Sequence, residues 1–305
     1  MFPSFLPAAV GQLTEPESIA LARSIQNQAI ATPLSNQPIT TTYVQEGSSG
    51  TPILLIHGFD SSVLEFRRLL PLLALENEAW AVDLLGFGFT DRLAGIQFSP
   101  VAIKTHLYYF WKTLIKEPVI LVGASMGGAA AIDFTLTYPE VVKKLVLIDS
   151  AGLRAGSALA KFMFPPLDNW ATQFLRSPKV RDRISRAAYK NPSLASLDAS
   201  CCAGLHLEMP SWHLALIAFT KSGGYSAFRF KKLAQISQPT LILWGDSDKI
   251  LGTTDAYRFK RAIANSKLVW IHDSGHVPHL EQPQVTAKHI LEFSKYSREQ
   301  VTGDR

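Results

Sequence analysis

The sequence predicts an α/β protein: a mostly parallel, eight-stranded sheet flanked by helices, with a helical segment inserted late in the chain. Three observations predict it. Short, continuous apolar runs recur at Ile53–Ile56, Trp80–Val82, Val119–Val122 and Leu145–Ile148, as strands buried on both faces do. Helix-period stretches at Ser62–Leu75, Pro100–Lys116 and Met126–Tyr138 separate them, so the strands are joined by crossovers and run parallel. After Asp149 the alternation lapses, then resumes at Thr240–Trp244 and Lys267–Ile271 before a last helix over Pro283–Lys295.

Taken in order, Glu15–Asn27 reads as a short helix, with Thr14 as its cap and Glu17 three residues on completing a capping box. Ile39–Gln45 reads as a half-exposed strand, closed by the turn Glu46-Gly47-Ser48-Ser49-Gly50. The interruption carries helix-like content with prolines and aromatics, among them Phe162, Phe164, Pro165, Pro166, Trp170, Trp212, Phe219 and Phe228. It is expected as a helical cap between the sixth and seventh strands, over the carboxyl ends of the sheet where α/β proteins bind ligands. The resulting organisation is an N-terminal extension (1–36), a core built from 37–151 and 236–297, a cap (152–235) and a tail (298–305).

The bulk composition excludes several classes. A hydrophobic content of 47% supports a sizeable core, yet the longest apolar stretch, Pro118–Ile132, is too short and glycine-rich to span a bilayer. Met1–Pro7 lacks a basic start and is broken by prolines, so no secretory signal is expected and an interior, cytoplasmic location is the default. The two cysteines, Cys201 and Cys202, are adjacent, which suits neither a structural disulfide nor a metal site. The net charge of +5 is uneven: residues 152–235 carry twelve Lys/Arg against four Asp/Glu, leaving −3 for the remainder. Arg176, Lys179, Arg181, Arg183, Arg186 and Lys190 are the densest part, readable as a solvated helix face or as a surface for an anionic membrane. No aromatic interleaving or binding motif accompanies them, so nucleic acid is not an expected partner.

The chemistry starts at Gly123-Ala124-Ser125-Met126-Gly127, which follows the Val119–Val122 run and opens a helix. A G-x-S-x-G in that setting is a strained turn that lifts a serine hydroxyl above the edge of a sheet. Such a hydroxyl needs an imidazole to take its proton, and the imidazole needs a carboxylate to hold its tautomer. The loops after the last two strands, Gly245-Asp246-Ser247-Asp248 and His272-Asp273-Ser274-Gly275-His276, supply both, and we assign Asp248 as the acid and His276 as the base. Asp246 and Asp149 are the alternative acids, and His272 and His279 the other imidazoles nearby. The backbone N–H groups of Met126 and of Phe59, in the loop His57-Gly58-Phe59-Asp60, are the expected donors to a developing oxyanion. His57, Asp60 and the carboxylates of the Asp83–Asp91 loop read as structural. No metal or organic cofactor is implied.

With these stretches in order the chain resembles the capped α/β-hydrolase superfamily across 37–297. Several stretches are similar to the chlorophyll dephytylases: His57–Ser62, Trp80–Gly88, Phe110-Trp111-Lys112 and, within the cap, Thr220-Lys221-Ser222-Gly223-Gly224-Tyr225. The likeness is weaker over 152–200. It implies an α/β-hydrolase fold, a triad of Ser125, Asp248 and His276, and a serine-dependent carboxylic ester hydrolase that removes phytol from chlorophyll-type pigments. The expected substrate is a small hydrophobic ester, chlorophyll or lipid, with peripheral contact to a photosynthetic membrane through the basic cap. Trp212, Phe164 and Phe219 are candidate substrate contacts. Ser125 at the elbow argues against epoxide hydrolases and haloalkane dehalogenases, which need a carboxylate there. Lipid or general carboxylesterases, cofactor-free haloperoxidases, C–C bond hydrolases and a non-catalytic ligand-binding protein are the remaining alternatives.

Overall fold

The computed structural model describes residues 1–154, 167–225 and 227–295. The strands are β1 (Gln26–Ile30), β2 (Ile39–Glu46), β3 (Ile53–Ile56), β4 (Ala79–Val82), β5 (Val119–Ala124), β6 (Val142–Ile148), β7 (Thr240–Gly245) and β8 (Ser266–Ile271). They form one sheet in the order β1-β2-β4-β3-β5-β6-β7-β8. β2 runs antiparallel to β1 and to β4, and every other neighbouring pair is parallel.

The apolar runs are explained by burial on both faces: every residue of β3, β4, β5 and β7 is buried. Their alternate side chains feed two cores. Leu54, Ile56, Leu121 and Leu147 point to one side, and Ile53, Leu55, Ile120, Val122 and Val146 to the other. Helices Pro100–Leu114 and Met126–Thr137 cover the first side, and helix Pro283–Lys295 the second. Between β6 and β7 the chain leaves the sheet and builds helices at Leu167–Arg176, Pro178–Ala188, Leu197–Gly204 and Trp212–Lys221. Among the described residues no helix is long and apolar enough to cross a membrane.

Four expectations are corrected at the N-terminal side. The first helix is Pro16–Ser24, not Glu15–Asn27, and Thr14 provides no side-chain cap. Instead Asp198, from the insertion, accepts the backbone N–H of Glu15 at 2.9 Å. Gln26–Ile30 is a strand, so the sheet begins inside the segment expected as an extension; its Gln26-Asn27-Gln28-Ala29 run is exposed and offers no alternation to read. β2 has no exposed residue, because strands flank it on both sides. The Ser62–Leu75 helix is divided into a 3-10 turn, Val63–Phe66, and a short helix, Leu70–Leu73; Pro71 has no N–H to carry one helix through.

The turn at Ser125 depends on how closely the following helix approaches the sheet. A Cβ on Gly127 would land on the Ile56 carbonyl oxygen, and one on Gly123 on the Gly127 carbonyl. Gly127→Ala therefore forces the helix off β3. It should destabilise the protein by about 1–3 kcal/mol, read as a lower urea midpoint at unchanged slope. An unchanged midpoint would show that the helix is free to retreat.

Candidate active site

The strands β3 to β8 deliver their carboxyl ends to one rim, and the expected residues follow those ends. β3 and β5 are neighbours although β4 lies between them in sequence, so the loops after β3 and β5 face each other across the crevice where chain order reverses. Ser125 follows β5 with φ 51° and ψ −119°, a conformation that costs a non-glycine residue on the order of 1–3 kcal/mol. Neighbouring loops hold it there: Ser125 N–H donates to Ile148 O at 3.0 Å, while Ser125 O accepts from Gly128 at 3.0 Å and from Ala151 at 2.9 Å.

His276 and Asp248 reach Ser125 from the loops after β8 and β7. His276 Nε2 lies 2.9 Å from Ser125 Oγ, and its Nδ1 lies 3.0 Å from Asp248 Oδ2. The other oxygen of Asp248 accepts the N–H groups of Ile250 at 2.7 Å and Leu251 at 3.1 Å. Burial pushes the Asp248 carboxyl up, but the His276 hydrogen bond and charge and those two backbone donors outweigh it, holding the group below its ordinary range. The loop bearing the imidazole is anchored by the insertion, through His276 N–H to Ala188 O at 2.7 Å.

Of the alternative carboxylates, Asp246 faces away from the serine and Asp149 lies beside Asp248. Asp246 pairs with the exposed His272 at 3.1 Å, and His279 faces Glu65 at 3.3 Å. Asp149 is fully buried behind Asp248 and accepts the Gly245 N–H at 3.0 Å. Burial, then the charge of Asp248, pushes its carboxyl well above the ordinary value. Asp149, Asp248 and His276 are the one set of three carboxylate or imidazole side chains among the described residues that can each offer an atom within 4.8 Å of the others. Hydrogen bonds already occupy both oxygens of Asp248 and the ring nitrogen facing them.

The loop after β3 lies against the serine: a Cβ on Gly58 would sit 3.4 Å from Ser125 Cβ. His57 is buried and takes Leu84 N–H on Nε2 at 3.1 Å, which leaves Nδ1–H to donate to Gly58 O at 2.8 Å. Burial lowers its imidazole to about 4, so the ring is a neutral brace. Gly58 N–H is taken by Glu65 Oε2 at 2.9 Å. Burial raises Glu65, but His279 and His57 bring it to about 2, a charged acceptor behind the loop. Among the described residues none accepts a hydrogen bond from Phe59 N–H or Met126 N–H. The helix Met126–Thr137 begins at this point and adds the positive end of its dipole.

Of the candidate substrate contacts, Phe219 is buried in an aromatic cluster beside this loop, 5.2 Å from Phe87 and 6.2 Å from Phe59 by ring centroids. Phe59 itself is 46% exposed, and Phe87 comes from the Asp83–Asp91 loop. Asp83 ties that loop to the turn at Val63–Phe66, accepting from Val63 N and Phe89 N at 2.7 Å each. Trp212 is buried, with its indole N–H given to Asp60 at 2.7 Å. Phe164 lies outside the described residues. Sequence reasoning missed Glu65 and the role of Asp60. Glu65 sits in a stretch that reads as an ordinary amphipathic helix, and nothing local distinguishes its carboxylate from a solvated one.

Comparison with known proteins places the chain. The model of the alpha/beta hydrolase family matches residues 53–289. Alpha/beta hydrolase domain-containing protein VTE7 from Arabidopsis thaliana is 33% identical, covering 96% of this chain and 90% of that protein. Lipase 1 from Psychrobacter immobilis is 27% identical over 82% of this chain and 79% of its own. Among solved structures, a meta-cleavage product hydrolase from Pseudomonas fluorescens IP01 superposes with a TM-score of 0.73 at 22% identity, covering 87% of this chain and 96% of that one. By its sheet order, its inserted helices and these likenesses together, the chain belongs to the alpha/beta hydrolase family.

Proposed function

We propose that the protein is a serine-dependent carboxylic ester hydrolase. The observation that carries the reading is the continuous line of hydrogen bonds from Ser125 Oγ through His276 to Asp248, beside two N–H groups with no acceptor among the described residues. In this reading Ser125 Oγ attacks the ester carbonyl while His276 Nε2 takes its proton. Phe59 N–H and Met126 N–H stabilise the oxyanion, each contributing about 10²–10³ in rate. His276 then protonates the departing alcohol, and a water activated by the same ring releases the acid from the acyl-enzyme. Asp248 stays ionised throughout and holds the ring with Nδ1 protonated.

For the substrate we favour a bulky hydrophobic ester, with the phytyl ester of chlorophyll-type pigments first and lipid esters second. Support comes from the dephytylase-like stretches, from the aromatic cluster of Phe59, Phe87 and Phe219 beside Ser125, and from the likeness to Lipase 1. Residues 152–235 act as the cap in this reading, and their basic surface meets an anionic membrane. Trp170 and Phe174, one helical turn apart, are each about two-thirds exposed beside the exposed cations Arg176, Lys179 and Arg183.

Purified protein should hydrolyse an aryl ester, and Ser125→Ala should abolish turnover; undiminished rates in that variant would refute the assignment. Turnover requires the His276 ring in its neutral form, because only the neutral ring can accept the serine proton. Asp248, held below the ordinary carboxylate range, keeps its charge as pH drops and loses it only at more acid values. Asp248→Asn should lower kcat by about 10²–10⁴-fold, and a wild-type rate there would remove Asp248 from the mechanism. Incubation with chlorophyll a in detergent, followed by chromatography, should yield chlorophyllide and phytol. Rapid cleavage of acylglycerides without those products would move the substrate to lipid esters. The protein should sediment with vesicles containing phosphatidylglycerol at low salt and less well with pure phosphatidylcholine. Equal recovery with both would contradict the membrane contact.

A further inference from the structure

We propose that Asp60 is a positioning residue: its carboxylate ties three separate segments of the helical insertion to the loop that presents Phe59 N–H, so the insertion holds the oxyanion donor in place. The inference rests on the reading of Phe59 N–H as that donor. Asp60 follows Phe59 directly and has φ 50°; the peptide it shares with Phe59 is one Cα away from the Gly58–Phe59 peptide that bears the donor, so fixing Asp60 limits the rotation open to Phe59. An oxyanion donor must stand within about 2.7–3.1 Å of the oxygen it stabilises, so small rotations matter.

The carboxylate is nearly fully buried, and both its oxygens are engaged. Oδ1 accepts from Trp212 Nε1 at 2.7 Å and pairs with His206 Nε2 at 3.0 Å. Oδ2 takes the Arg181 guanidinium. Burial raises this carboxyl, but His206, Arg181 and Trp212 together pull it below the ordinary range, so the anion is the form the site holds. The three donors come from helix Pro178–Ala188, the 3-10 turn Leu205–Glu208 and helix Trp212–Lys221. A solvated aspartate on a surface loop has no such partners; this one gathers the insertion onto a single point.

Helix Pro178–Ala188 makes the arrangement more than a local brace. It has no buried residue, so apolar packing does not fix its position. Polar ties do. Near its start Arg181 reaches Asp60 and also donates Nε to Leu175 O at 3.0 Å. At its end Ala188 O accepts the N–H of His276. One surface helix therefore spans from the loop of the proposed oxyanion donor to the loop of the proposed base. The rest of the Phe59 loop is held by the core, through His57 on Leu84 and Gly58 on Glu65. Asp60 is where the polar ties between that loop and the insertion converge, beside the ring contact of Phe59 with Phe219.

The test uses Asp60→Asn, Trp212→Phe and the double variant in the full chain, with p-nitrophenyl acetate, an ester too small to depend on a large acyl or alcohol pocket. Asp60→Asn should lower kcat about 10- to 100-fold with KM changed less than about 3-fold. Its affinity for a trifluoromethyl ketone, which presents an oxyanion to the site, should weaken by the same factor as kcat/KM. Trp212→Phe keeps the ring packing and removes only the donor, so it should shift both quantities in the same direction by about 3- to 10-fold. The double variant should match Asp60→Asn alone, because both changes act through one carboxylate. A folded Asp60→Asn protein with wild-type kcat and ketone affinity would overturn the inference, as would losses that scale only with the fraction unfolded. In either case a dead Ser125→Ala enzyme leaves the hydrolase reading standing; an active one removes that reading and this inference together.

Discussion

Much of the molecule is organised by one close approach, that of the helix Met126–Thr137 to the carboxyl ends of β3 and β5. Two glycines permit it: side chains at Gly123 or Gly127 would occupy the positions of carbonyl groups. The approach forces Ser125 into a left-handed conformation, and the hydrogen bonds to Ile148, Gly128 and Ala151 hold it there. The strain is supported by β5, which leads into Ser125, and by β3 beside it, every residue of which is buried. Without that packing the hydroxyl would not project above the rim where the other loops converge.

Around this point the electrostatics divide into two parts. On one side His276 and Asp248 form a hydrogen-bonded pair, and burial together with the charge of Asp248 pushes the neighbouring Asp149 carboxyl well up. On the other, the loop after β3 is set by neutral His57 and by charged Glu65, with Asp60 facing the insertion. Carboxylates of one chemical type are thus shifted in opposite directions by what surrounds each. Desolvation acts on all of them, and the outcome turns on whether an imidazole, a guanidinium or a set of backbone donors stands opposite.

The insertion is not an appendage placed over a finished core. Asp198 accepts from the start of the first helix, Lys190 and Asn191 donate their backbone N–H groups to Glu281 at 3.0 Å, and Ala188 holds the His276 loop. Apolar contact contributes through Trp212, Leu216 and Phe219, which join the larger core. The insertion and the rim therefore share both packing and polar ties.

The strand runs, their alternation with helices and the turn at Ser125 are all readable in the sequence, because each follows from local periodicity or from a short motif. β3 and β5 are apolar throughout since both faces are covered, and that leaves a direct trace in composition. The loops bearing Asp248 and His276 are readable as well, since they follow recognisable strand ends. What the sequence by itself does not determine is what depends on distant partners. β1 is a polar edge whose extended form comes from pairing with β2, and Asp198 replaces the expected Thr14 cap from far along the chain. Glu65 looks like a surface carboxylate, and Asp60 reads as structural without named partners, until the tertiary structure encloses both and supplies their donors. A local pattern can specify which way a chain bends; only the folded assembly decides which charge meets which partner.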